Sequence, residues 1–184
     1  IAKMLNFAHG DVIMVGAFVI YTAMSTLGLS PILSVVLAMV LCTILGMTIE
    51  KIAYRPLRNA GSPLAVLITA IGVSYLLQNL GLLIFGADTK SFKSIVAMEA
   101  LQFAEGQLTV SGEAVVTIIV SVVIMVVLTS FVKYTKAGRA MVAVSEDRGA
   151  AQLMGINVNG TIALTFAIGS ALAAIAGALL CSSY

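Results

Sequence analysis

Five long apolar stretches alternate with short polar segments along the chain. Val12–Leu29, Pro31–Ile49, Pro63–Gly86, Ala114–Val132 and Thr161–Cys181 each run without a formal charge. About 20 apolar residues carry a helix across the hydrocarbon core of a bilayer, and all five approach or exceed that length. A lipid solvent leaves no partner for an open strand edge, so the pattern predicts five transmembrane helices. Ser30-Pro31 parts the first two spans with almost no chain between them, which predicts a tight helical hairpin.

The charges lie between the spans and assign a direction. Segment 50–62 sets Lys51, Arg55 and Arg58 against Glu50, and segment 133–160 carries Lys133, Lys136, Arg139 and Arg148. Segment 87–113 has Lys90 and Lys93, but also Asp88, Glu99, Glu105 and Glu113. Basic residues accumulate on the cytoplasmic side, so the first two segments face inward and 87–113 outward. The outer loop is partly amphipathic ("FKSIVAMEALQF"), and its pattern fits a short interfacial helix or a strand pair.

Composition agrees with the pattern. Of 184 residues, 60% are hydrophobic and 10% charged, and the mean hydropathy is +1.11. Soluble domains carry about 25% charged residues. The fold class expected is an all-α polytopic membrane protein forming a single domain over 1–184, with a lipid bilayer as its first partner. A net charge of +2 gives no field that would gather nucleic acid. Cys42 and Cys181 both sit in apolar runs, as small buried hydrophobes do.

Within the long inner segment, "GRAMVAVSEDRGAAQLMG" lacks strong breakers until Gly149 and has a stop signal at Gly155, which predicts a short cytoplasmic helix. Met141, Val144, Ala151 and Met154 recur near one face, with Glu146, Asp147 and Arg148 pointing elsewhere. Such a helix suits either a groove on a partner or the membrane surface.

Few polar residues break the apolar runs. Asn6, His9 and Asp11 cluster at the predicted boundary of the first span, where they can face a pathway or simply cap a helix. Gln78 and Asn79 lie inside the third span, where amides either bond between helices or line a passage. Gly169, Ala173 and Gly177 form a small-residue face that permits close helix packing. Tyr54, Arg55 and Arg58 suit anchoring at the inner interface. One histidine beside one aspartate supplies too few ligands for a metal. The sequence has neither a His-Glu-x-x-His motif nor a phosphate-cradling Gly-x-x-x-x-Gly-Lys loop, so no catalytic residue is assigned and the chain is not read as an enzyme.

Three blocks, "LNFAHGDVIMVGAF" (5–18), "AYRPLRNAGSPLAVLITAIGVSYLLQN" (53–79) and "GRAMVAVSEDRGAAQLMGINVNGTIALTFAIGSALAAIAGALL" (138–180), resemble the permease subunit of ABC transporters that import branched-chain amino acids. The resemblance implies a multi-pass protein of a bacterial inner membrane that forms half of a translocation pathway. It also implies a second homologous permease, two cytoplasmic ATP-binding subunits that hold ATP and magnesium, and an extracytoplasmic substrate-binding protein. No cofactor is expected in this chain. The third block is similar to the family's ATPase-coupling loop, which makes Glu146, Asp147, Arg148, Ala150, Ala151 and Gly155 coupling residues. Importers in the wider superfamily have Glu-Ala-Ala with Gly following; here Gly149 replaces the Glu, and the acids stand at 146 and 147. Asn6, His9, Gln78 and Asn79 become candidates for the substrate pathway. Permeases for urea and short-chain amides are similar to this family, so that cargo is the alternative. A stand-alone channel or ion-coupled carrier fits less well, because such proteins place charges within their spans. The opening at Ile1 and the stop at "CSSY" read as the middle of a longer protein, with further helices expected on both sides.

Overall fold

The computed structural model describes residues 8–59, 63–88, 90, 101–103 and 108–183. Helix α1 spans His9–Ser25 and α2 Pro31–Ile49, which continues through a π-helical turn at Glu50–Tyr54 and a 3-10 turn at Pro56–Asn59. Helix α3 covers Pro63–Phe85 and α4 Gly112–Tyr134; two short helices follow, α5 (Lys136–Glu146) and α6 (Arg148–Leu153), before α7 at Val158–Ser183. Within 87–113, strands β1 (Leu101–Phe103) and β2 (Leu108–Val110) pair antiparallel with Leu101 opposite Val110. A strand pair is one of the two patterns expected in this segment; residues 91–100, where the other, an interfacial helix, would lie, are outside the described residues. The architecture is that of an all-α polytopic membrane protein.

Among the described residues, four helices can cross a membrane by length and composition: Pro31–Tyr54, Leu64–Phe85, Gly112–Tyr134 and Val158–Ser182. The fifth apolar element, α1, has 17 residues and starts and ends earlier than the stretch 12–29. Hydropathy cannot register its actual end: Gly28, at φ +64°, turns the chain, and the Leu29 amide bonds back to the Ala23 carbonyl at 3.1 Å. Pro31 then opens α2 at a position where its missing N–H costs nothing.

Large apolar side chains face outward along α2, α3 and α4, Ile32 and Leu83 among the most exposed. Lipid tails are as apolar as these side chains, so close packing rather than water exclusion must hold the helices together. Small residues supply it where α1, α2 and α7 meet. A Cβ on Gly46 would stand 2.7 Å from the Ser170 Cβ, one on Gly16 2.9 Å from the Ala174 Cα, and one on Gly177 2.7 Å from the Ile13 carbonyl oxygen. Ala38, Cys42, Ala173 and Ala174 fill the seam between them. On the small-residue face expected in the last span, Ala173 and Gly177 are buried, whereas Gly169 has nothing within 4 Å of its would-be Cβ. The reciprocal glycines on α1 and α2 carry no mark in a one-helix reading. Hydroxyls in the spans bond to the preceding turn, Ser25 to the Tyr21 carbonyl at 2.6 Å and Thr69 to that of Ala65 at 2.8 Å.

Candidate functional site

The first turn of α1 stands beside the middle of its neighbours, not at their ends. The Cys42 thiol, twelfth residue of α2, lies 3.8 Å from the Val12 carbonyl oxygen, and Asp11 meets Gln78, sixteenth residue of α3. At about 1.5 Å per residue, those positions are roughly 16–23 Å into their helices. His9 and Asp11, of the polar cluster expected at a membrane boundary, therefore lie level with the interior of α2 and α3, because α1 is offset along its partners.

There Asp11 is 8% exposed, and its Oδ1 accepts a hydrogen bond of 3.0 Å from the Gln78 amide nitrogen. The same nitrogen donates to Ser74 Oγ at 3.1 Å, so Gln78 ties α1 to α3 through its own helix's preceding turn. His9 is exposed at the start of α1. Asn79 points away and donates to the Tyr75 carbonyl at 2.7 Å. Asn6 lies outside the described residues. Asp11 was grouped with His9 on the sequence, but nothing in the spacing links it to a residue 67 positions later. A carboxylate in a lipid-facing bundle needs its donor. Gln78→Leu should destabilise the detergent-solubilised protein by about 1–3 kcal/mol, the cost of leaving a buried acceptor unpaired. Gln78→Glu, which also removes the donor, should do at least as much; a thermal melt checks both.

Segment 133–160 is built differently from the single helix expected. The α5 start is capped by Thr135, whose Oγ1 accepts from the Gly138 amide at 2.9 Å. Asp147 then leaves the helical region (φ −147°, ψ 114°), and its carboxylate accepts from the Gly149 and Ala150 amides at 2.8 and 3.1 Å. An aspartate that can cap a new helix breaks the old one. Hence α5 and α6 are two helices. Gly155, at φ +80°, closes the unit, with the Ile156 amide bonding to the Ala151 carbonyl at 3.0 Å.

This geometry divides the apolar stripe. Met141, Val144 and Ala151 are buried, the latter two packed with Ile162 of α7. Leu153 and Met154 are instead 90% and 82% exposed, just before the Gly155 turn. Glu146, Gly149 and Ala150 are also exposed. Beside this apolar knob lies a cleft of about 530 Å³, lined by Arg55 from the turn after α2 and by Arg148, Gln152, Asn157 and Asn159. Among the described residues no group of three or more His, Cys, Asp or Glu side chains is placed to hold a metal ion.

A family model for the permease component of the branched-chain amino acid transport system matches residues 1–184. The chain is 38% identical, over 197 aligned positions, to the high-affinity branched-chain amino acid transport system permease protein BraD of Pseudomonas aeruginosa. It is 39% identical to the corresponding LivH protein of Escherichia coli K12. Both alignments cover all of this chain and 63% of the relative, so the chain spans less than two thirds of their length. A probable LivH permease of Methanocaldococcus jannaschii is 31% identical over 95% of the chain and 56% of the relative. No solved structure matches.

Proposed function

The chain belongs to the family of branched-chain amino acid transport permease components, and from that membership we propose that it forms half of the membrane pathway of an ATP-driven importer of leucine, isoleucine and valine. A second, similar permease supplies the other half. Two cytoplasmic subunits bind and hydrolyse ATP, and an extracytoplasmic binding protein delivers the amino acid. The complex sits in a bacterial inner membrane.

The observation that carries this reading is the α5–α6 unit. Two large apolar side chains, Leu153 and Met154, protrude from a capped and packed inner segment beside a polar cleft. Exposed apolar side chains on a rigid inner element have no lipid span to serve, and they suit a groove on a partner. Glu146, Asp147, Arg148, Ala150, Ala151 and Gly155 belong to that unit: Asp147 and Gly155 shape it, Ala151 anchors it, and the others line its surface. On the membrane side, the Asp11–Gln78 pair and the exposed His9 place polar groups of the first turn of α1 level with the interior of α2 and α3, which supports a pathway beside them.

The test is reconstitution of the whole transporter in vesicles with ATP inside. Labelled leucine should accumulate only with ATP and the binding protein. Accumulation of urea in place of leucine would transfer the assignment to an amide importer, and uptake by the permease alone without ATP would replace it with a carrier.

A further inference from the structure

A second cavity lies at the opposite end of the bundle from the α5–α6 unit. It encloses about 310 Å³ between the middle of α1, the last turn of α7 and the turn that leaves α3. Ligand pockets run from about 300 to 1,000 Å³, so the space suits one small molecule. Its walls are built for rigidity. Met14, Ala17, Phe18 and Tyr21 follow one another at i, i+3, i+4 and i+7 and so share a face of α1. Phe18 stacks on Phe85, with ring centroids 4.3 Å apart and planes within 4°, which pins the end of α3 against that face. Gly86, at φ +79°, then turns the chain so that Asp88 and Lys90 reach the cavity's rim. Cys181 closes the α7 side.

The lining is therefore apolar, with one carboxylate and one ammonium together at the mouth. Among the described residues neither Asp88 nor Lys90 forms an ion pair, and both are exposed. That combination matches one ligand chemistry. An α-amino acid with an apolar side chain offers an ammonium to Asp88, a carboxylate to Lys90 and a hydrocarbon branch to Met14, Ala17 and Phe18. A neutral polar solute such as urea would leave the apolar wall unfilled and would match neither rim charge. We infer that this cavity is an outer receiving site, in which a zwitterionic apolar amino acid is held by Asp88, Lys90 and the α1 face before it moves inward. The inference rests on the importer reading and adds a place and residues to it.

Cys181 makes the site accessible to measurement, since it lines the cavity whereas Cys42 is buried between α1 and α2. In the full-length permease within its complex, with every other cysteine replaced, a small membrane-impermeant thiol reagent is applied from outside. Cys181 should react, and millimolar leucine should slow that reaction at least threefold, whereas urea at the same concentration should not. Lys90→Gln or Asp88→Asn should each abolish the protection while leaving the unprotected labelling rate within twofold. Absence of labelling from outside, equal protection by urea, or protection that survives both substitutions would overturn the site. Complexes that transport leucine normally yet show no leucine protection of Cys181 would overturn the receiving site and leave the importer reading standing. Complexes that never transport leucine fail at the earlier step.

Discussion

Gly46→Val is expected to break the bundle. A Cβ at position 46 already stands 2.7 Å from the Ser170 Cβ and 3.2 Å from the Phe166 carbonyl oxygen, and valine adds two methyl groups beyond it. Both obstacles belong to α7, one of them backbone, so rotamer changes alone give no relief. Overpacking costs about 1–3 kcal/mol in ordinary cores, and this seam lies at or beyond the upper end. About 3 kcal/mol shifts the packed-to-unpacked ratio by more than roughly a hundredfold. The variant should appear in the membrane at low level and aggregate on detergent extraction. Ser170→Gly in the same chain should restore part of the monodisperse protein by removing the side chain that the introduced valine meets. Gly169→Ala should match the wild type, because nothing lies within 4 Å of its Cβ position. Normal yield and melting of Gly46→Val would show that α2 and α7 do not pack this way.

The second large effect concerns Leu153 and Met154. Replacing both with glutamate leaves α7 packing and the Asp147 cap untouched, because the two side chains are nearly fully exposed. The permease should therefore insert and purify normally. If the pair seats in a groove of the proposed ATPase, each behaves as a buried anchor whose loss costs about 2 kcal/mol, and association should weaken by a hundredfold or more. Co-purification of the ATPase and ATP-driven uptake should fall together. Asp147→Lys is a poorer test, because it removes the α6 cap as well as a charge. Asp147→Asn keeps the cap and isolates the charge. Retention of both ATPase and uptake in the double glutamate variant would remove these residues from the contact.

The parts of this protein most legible in its sequence are those that lipid dictates. Charge-free runs of spanning length predicted α2, α3, α4 and α7 within a few residues, because a bilayer filters for that property alone. Asp147 was visible too, yet it was read as a charge on a helix and not as the end of one; a capping aspartate and a helical one look alike until the backbone is known. The stripe of Met141, Val144, Ala151 and Met154 assumed a helix continuing through 154, but α6 ends at Leu153, and Met154, at the cap before the Gly155 turn, lies outward while the other three stay buried. Gly16 and Gly46 gave no signal, since a glycine matters there only because a second helix arrives opposite it. The Asp11–Gln78 bond was hidden for the same reason. It depends on how far α1 is offset along α3, a quantity that neither helix's sequence contains.

The claim on which the rest depends is that the α5–α6 unit lies in the cytoplasm. A single cysteine at Leu153, in a full-length permease whose other cysteines are replaced, can be probed with a membrane-impermeant maleimide. Inside-out vesicles stripped of peripheral proteins should label fully, and intact right-side-out cells should not label until they are permeabilised. Labelling of position 153 from outside intact cells would invert the topology and take both the coupling role and the importer reading with it.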